Sequence, residues 1–509
     1  MPNLFQTYGG ALYRMYAQLE ERTTAPESTD PLTRISATEA ATKIRTGKLS
    51  SFQLVKVYLK RIKEVNLYIN AASETFDSEA LEEAANVDRY LAGLDKKSEE
   101  YKSLEVKKPL LGVPVSIKHC FDVKGKRNIA GLSRRRNIPV ATDDAEAVKR
   151  IREAGGIPFV YTNLPDACLW VETSNPVYGK TSSPYDTRTT SGGSSGGEGA
   201  LISAEGSLLG IGSDLGGSVR IPALFNGIYG LKPVNDIPLE GHYPDPKDDS
   251  MRLLFGIGAM ARYAEDMALF YSILSQSPIP RDYLTLKPTR VLLTLPTFDR
   301  LTPLTDDVRR AALTTARLIS EHYRIPLEEY KLAPMEKMIE WYINEASPPG
   351  DESMTKYVYP DATTSNLLLE KLRSYLGLNK VNPGSAEFIH TFAEEKTPAK
   401  YDQLHRELHD YRQILNELLR DNVILVAPSL PKSHYFHNEL LIARTDWFQT
   451  AIFNGLALPV ATVPLGLDRD GYPVGAQIAS ARGNNYLLTR MQEMLEKKTG
   501  GWRPPRSLL

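Results

Sequence analysis

Cysteine is almost missing from this sequence: Cys120 and Cys168 are the only two among 509 residues. Two thiols exclude a disulfide framework, and no run of neighbouring Cys and His offers the ligand spacing of a structural zinc site. A reduced, intracellular setting, cytoplasmic or peripheral on a membrane, fits that count. An excess of either charge is missing as well, with 61 Lys and Arg against 62 Asp and Glu. Such a balance supplies no basic field to hold phosphates, which excludes nucleic acid as the expected partner while permitting a homodimer. The N-terminus lacks the basic, apolar, small-residue order of a signal peptide, and no uninterrupted apolar run reaches the roughly 20 residues that cross a bilayer. From Trp447 to Leu467 the chain carries no charge, but Gln449, Asn454, Pro459 and Pro464 break the stretch and mark it as buried core. Neither a G-x-x-x-x-G-K-[ST] loop nor a G-x-G-x-x-G turn between strand and helix occurs, so no nucleotide cofactor is expected, and no metal or other organic cofactor either.

What is present begins with helical signals. Leu4, Phe5, Tyr8, Leu12, Tyr13, Tyr16 and Leu19 recur at helical spacing, a stripe that suits either packing on the protein itself or peripheral contact with a membrane. Residues 1–34 read as a peripheral amphipathic arm. Ser36 with Glu39, Ser50 with Gln53 and Asp143 with Glu146 have the residue order of capping boxes. Leu54, Tyr58, Ile62 and Val65 mark one helix face, and Ala80, Leu81, Ala84, Ala85 and Leu91 mark another that stops near Gly93. The period then changes: Val113, Val115 and Ile117 alternate with Pro114, Ser116 and Lys118, as in a strand, which turns Lys118 away from the apolar side chains. A helix through Val148 and Ile151 ends at Gly155 and feeds an apolar strand from Ile157 to Tyr161. Later, Leu404, Leu408, Tyr411 and Leu415 share one helix face ahead of a strand from Val423 to Ala427. This alternation predicts an α/β fold, with a mixed twisted central sheet flanked by helices in α/β/α layers.

Between Thr190 and Pro233 glycine is far above its usual share, from Gly192 and Gly193 through Gly196, Gly197, Gly206, Gly210, Gly212, Gly216 and Gly217 to Gly227 and Gly230. Glycine is favoured where backbone must approach another atom closely, as when N–H groups converge on an anion. A flexible linker would be polar throughout, whereas Ala200, Leu201, Ile202, Leu208, Leu209 and Ile211 sit between these glycines. Gly193 to Gly197 also satisfies G-x-S-x-G, but a nucleophile elbow follows a buried strand, and Tyr185 to Ser191 is polar. Ser429 to Lys432 matches S-x-x-K only loosely, with Pro431 opposing the helix that pattern requires.

Gly193-Ser194-Ser195-Gly196-Gly197, followed by Gly212-Ser213-Asp214-Leu215-Gly216-Gly217-Ser218-Val219-Arg220-Ile221-Pro222, resembles the signature of the amidase signature family. Gly112 to Lys118 is similar to that family's catalytic-lysine strand, and Asn454 to Pro459 and Pro473 to Ile478 match further downstream. The resemblance makes residues 35–509 an amidase domain, with 280–422 its least matched segment and an expected part of the substrate pocket. Thr173 to Gly179, Gly197 to Ala200, Pro222 to Ile228 and Gly500 to Trp502 are similar to the fatty-acid amide hydrolase branch, of the second vertebrate type.

Taken singly, Lys118 reads as a strand-end lysine, and Ser194 and Ser218 as turn serines or helix caps. Their order within three motifs favours chemistry. An amide is a poor electrophile with a poor leaving group, so its hydrolysis requires an activated nucleophile, an anion-stabilising site and an acid for the departing amine. The resemblance implies Ser218 as nucleophile, Ser194 as proton relay and Lys118 as general base. It implies an oxyanion hole from the N–H groups of Leu215, Gly216, Gly217 and Ser218, with Asp214 and Arg220 bracing that turn. Cys168 and Leu169, together with Ser194, match substrate-lining positions, though the first two read equally as ordinary core. No histidine falls in a matched position, and His119 reads as packing or surface. The implied reaction converts a small-molecule lipid amide, an N-acylethanolamine or primary fatty amide, to fatty acid and amine through an acyl-enzyme. The alternatives are an amidase of the same family acting on short aliphatic or aryl amides or esters, a glutamine-hydrolysing subunit, and a catalytically silent lipid-binding protein.

Overall fold

The alternating stretch becomes strand β2 (Pro114–Lys118), which follows β1 (Ala72–Thr75) and precedes β3 (Ile157–Thr162). Every residue of β2 and β3 is buried, as expected of parallel strands covered on both faces. The computed structural model describes residues 10–296, 300–348, 354–359, 364–392 and 396–505. Within them, β4 (Leu209–Asp214), β5 (Tyr229–Lys232), β6 (Gly256–Ala261), β7 (Arg290–Leu293), β8 (Leu327–Glu329), β9 (Val423–Ala427), β10 (Val460–Leu467) and β11 (Pro473–Ala479) complete an 11-stranded sheet. Its order is β1-β3-β2-β4-β6-β5-β10-β11-β9-β7-β8. β2 runs parallel to β3 and β4, and β7 parallel to β8 and β9, while the other neighbours are antiparallel. The sheet is therefore mixed and flanked by helices, as the alternation of elements requires. Ile117 lies opposite Ile211 across the β2–β4 pair, so Lys118 and Asp214 finish at the same edge.

Local signals explain most element ends. Ser36 accepts from the Glu39 N–H at 3.0 Å and Ser50 from the Gln53 N–H at 3.2 Å, starting the helices Ala37–Arg45 and Ser51–Ile69. The third expected box does not form. The helix Glu146–Glu153 begins only after Ala145, and Asp143 is drawn instead to Lys149 at 2.8 Å, outside the helix start. The helix Asp77–Gly93 stops where glycine predicts, and Pro398–Leu418 buries Leu404, Leu408 and Leu415 with Tyr411 half-buried. The uncharged stretch is core: the helix Phe448–Gly455 is buried throughout and leads into β10. Among the described residues, no helix is long and apolar enough to cross a membrane.

Among the described residues the arm begins with the helix Gly10–Ala17, and Leu12, Tyr16 and Leu19 are exposed. Tyr13 donates to the His437 carbonyl and Arg14 pairs with Glu439 at 2.7 Å, so one side of this helix is fastened to the protein. Leu4, Phe5 and Tyr8 lie outside the described residues.

Candidate active site

The glycine-rich stretch reaches the sheet edge from a short ribbon. Asp186–Thr190 pairs with Ser182–Ser183 and not with the main sheet, so no nucleophile elbow precedes Ser194. The chain passes through a cis Gly193–Ser194 peptide into the buried helix Gly196–Ser203. It continues through β4 and a tight turn into the helix Arg220–Phe225. Two glycines show why side chains are excluded here. A Cβ on Gly210 would lie 1.9 Å from Glu198 Oε2, and one on Gly217 would lie 2.2 Å from Thr450 Oγ1, at a backbone φ of +121°.

Lys118 is the last residue of β2 and is fully buried. Its Nζ donates to Ser194 Oγ at 2.7 Å, to Ser213 Oγ at 3.1 Å and to the Ser213 carbonyl at 3.3 Å. Among the described residues no carboxylate forms an ion pair with it. Glu198, on the adjacent helix, meets the same strand at Ser116, and its Oε1 accepts from Thr162 at 2.8 Å. Burial pushes the Glu198 carboxyl up to about 8, against the pull of Ser116, Thr162 and Lys118. The geometry agrees, because Ser116 Oγ lies 2.5 Å from Glu198 Oε2 and 3.0 Å from the Leu209 carbonyl. One hydroxyl proton cannot serve both oxygens, so a protonated Glu198 donates to Ser116, which donates to Leu209.

Ser218 stands across from this cluster, 7% exposed, and its hydroxyl has no hydrogen-bond partner among the described residues. The Ser195 N–H donates to the Ser218 carbonyl at 3.1 Å, which ties the two serine segments together through their backbones. Of the four expected anion donors, Gly217 is already engaged: its N–H donates to Asp214 Oδ1 at 2.7 Å. The turn thus offers the N–H groups of Leu215, Gly216 and Ser218, which donate to no acceptor among the described residues. Gly217 holds the turn instead.

Asp214 and Arg220 form the expected brace, both fully buried, with Nε to Oδ2 at 3.0 Å and Nη2 to Oδ1 at 3.1 Å. Burial alone would raise the Asp214 carboxyl, but the charge and hydrogen bonds of Arg220, with Lys232 and Asn454, hold it well below the ordinary carboxylate range. Arg220 also donates to the Thr450 carbonyl at 3.0 Å, Gln477 Oε1 at 2.8 Å and Asn454 Oδ1 at 2.5 Å. Burial and the charge of Arg220 bring Lys232 down to about 7.

A buried lysine thus rests on a serine hydroxyl beside a second serine at a donor-rich turn. A sequence model described as amidase matches residues 53–488. The chain belongs to the amidase family. It is similar to fatty-acid amide hydrolase 2-A of Danio rerio, 33% identical over 506 residues that cover 94% of this chain and 91% of that one. Fatty-acid amide hydrolase 2 of Homo sapiens is 33% identical over 495 residues with the same coverage. A solved fatty acid amide hydrolase shares the fold with a TM-score of 0.74 at 22% identity, over 92% of this chain and 86% of that one. The protein is an amide-hydrolysing enzyme related to fatty-acid amide hydrolases.

Within this amidase, other residues named from sequence fall into place unevenly. Leu169 is buried in the main core, and of the pair only Cys168 is partly exposed. His119 is buried packing: it stacks on Tyr161 at 4.0 Å, its Nε2 donates to the Arg127 carbonyl at 2.8 Å, and burial lowers it to about 4. The 280–422 segment touches the site, since Tyr342 donates to the Leu215 carbonyl at 3.2 Å and Phe388 packs on Trp447 at 4.9 Å. Ser213, Glu198, Thr450, Asn454 and Gln477 had no assigned role in the sequence, although all but Thr450 lie in matched motifs. The sequence also gave no sign of a Cys and His cluster, but the fold assembles one from Cys120, Cys168 and His242. Those three are far apart in the chain and meet only where separate segments converge.

Proposed function

We propose that this amidase cleaves fatty acid amides to fatty acid and amine through an acyl-enzyme on Ser218. The observation that carries the reading is the fully buried Lys118 Nζ at 2.7 Å from Ser194 Oγ, with the free Ser218 hydroxyl at the neighbouring turn. In this reading Lys118 is the base that draws a proton from Ser218 by way of Ser194 as Ser218 Oγ bonds to the amide carbon. The oxygen anion that forms is met by the N–H groups of Leu215, Gly216 and Ser218, each such donor contributing about 3 kcal/mol. Ser194 then passes the proton to the leaving nitrogen, the C–N bond breaks, and water releases the acid by the same relay run again. Asp214 and Arg220 act one step removed, by fixing the turn.

The long-chain substrate is supported by similarity to the two fatty-acid amide hydrolases over most of both chains. A lipid substrate also gives a use to exposed apolar side chains: Leu12, Met15, Tyr16 and Leu19 on the arm, with Leu368, Leu369, Leu372 and Leu376 in the 280–422 segment. These suit peripheral contact with a bilayer. Intact-mass analysis after exposure to a long-chain fluorophosphonate, alongside turnover of a long-chain N-acylethanolamine, tests the reading. The wild type should gain one phosphonyl adduct and turn over, and Ser218→Ala should do neither. Labelling without turnover transfers the substrate to short aliphatic or aryl amides or esters, while an unlabelled, folded wild type removes Ser218 as nucleophile.

A further inference from the structure

Cys120 lies just past β2, Cys168 ends the short turn Asp166–Cys168, and His242 comes after β5. Their sulfur and ring-nitrogen atoms lie within 4.8 Å of one another. His242 Nδ1 sits 2.6 Å from the Pro244 carbonyl oxygen. A carbonyl only accepts, so Nδ1 carries a ring proton, and in the neutral imidazole the lone pair lies on Nε2. That Nε2 is buried and has no hydrogen-bond partner among the described residues. A backbone carbonyl on the far ring nitrogen is the usual way to orient a metal-binding imidazole. Phe121 and Phe255 pack edge-on against the ring, with centroids at 4.9 and 6.0 Å, and hold it in place. Cys120 is buried while Cys168 is partly exposed.

We propose that Cys120, Cys168 and His242 bind a soft divalent cation of the zinc class, and that its binding slows the amidase reaction. Two thiolates and an imidazole are a donor set such ions favour, and three protein ligands leave a fourth tetrahedral position for water. Binding releases one proton from each thiol and involves no change of oxidation state. With metal–sulfur bonds of about 2.3 Å, tetrahedral ligands stand roughly 3.8 Å apart, so the ion fixes Cys120 Sγ at a set place among atoms that already lie within 4.8 Å of one another. Cys120 Sγ lies 3.8 Å from Ser213 Oγ, and Ser213 supplies two of the oxygens that hold Lys118 Nζ. A displacement of Cys120 therefore reaches Lys118 through one intervening residue. The site itself stands on geometry alone; its effect on turnover rests on the role proposed for Lys118.

The test uses the reduced full chain and cadmium ion as probe, reading the thiolate-to-metal absorption band, the stoichiometry by calorimetry and amide turnover in parallel. One ion per chain and a clear band are expected in the wild type. Cys168→Ser and His242→Gln should each weaken binding at least about tenfold. At saturation, wild-type turnover should fall at least tenfold and return on adding a chelator. His242→Gln should keep its metal-free turnover within about twofold of wild type and escape the inhibition. A folded wild type without the band, or a band unchanged in both variants, overturns the site. A band with undiminished turnover overturns the link to Lys118 and leaves the site standing.

Discussion

Two buried polar clusters flank Ser218, and they are built in opposite ways. On one side Arg220 meets Asp214, Thr450, Asn454 and Gln477 in a charged network that uses every nitrogen of the guanidinium. On the other, Lys118 meets the hydroxyls of Ser194 and Ser213, and beside it Glu198, held neutral by burial, meets those of Ser116 and Thr162. A buried ion pair is expensive to separate and so fixes a turn in place. Hydroxyls exchange donor and acceptor roles by rotating about one bond, which suits the passage of protons. One cluster keeps shape and the other stays changeable.

The comparison breaks most visibly at Lys118. Lys118→Met should lower kcat/KM at least a thousandfold, about 4 kcal/mol of transition-state stabilisation, with thermal unfolding little changed. A loss under tenfold would assign the base to another group. Arg220→Met should do the reverse, leaving the Asp214 charge buried without its partner. The expected cost is about 3–5 kcal/mol in urea unfolding, and a cost under about 1 kcal/mol would deny the brace its structural role.

Glu198→Gln gives the smallest effect and sharpens the contrast through pH. The folded carboxyl titrates near 8 and the unfolded one near 4.5, so across that window the folded chain holds a proton that the unfolded chain has lost. Wild-type stability from this group is full below about 4.5 and is lost as pH rises through about 8. Between pH 5 and 8 the melting temperature of the wild type should fall by a few degrees relative to Glu198→Gln, other groups being common to both. A constant difference across that range would mean an ionised Glu198 and two charged clusters.

Sequence reading reached the residues that announce themselves by motif. Lys118, Ser194 and Ser218 lie where strand alternation and the glycine-rich stretch placed them, and Lys118 does turn to the polar side of β2. The brace was legible as Asp214 and Arg220, but its completion was not, because Asn454 and Gln477 meet Arg220 across separations of 234 and 257 residues. Ser116 and Thr162 read as ordinary strand residues, since nothing local distinguishes a hydroxyl facing a buried carboxyl from one facing water. The motif places Gly217 among the anion donors, but its N–H points to Asp214 Oδ1, a direction that residue order does not encode. Asp143 had the right residue type and spacing for a cap, yet Lys149 competes for its carboxylate.

The separations across the brace also bear on the order in which the molecule is made. A ribosome emits Lys118, Ser194, Ser218 and Arg220 well before it emits Asn454 and Gln477. Until then the guanidinium lacks the amide oxygens that complete its setting. A nascent chain therefore carries Lys118, Ser194 and Ser218 ahead of the finished turn, which is complete only once the helix Phe448–Gly455 and β11 have been synthesised and docked.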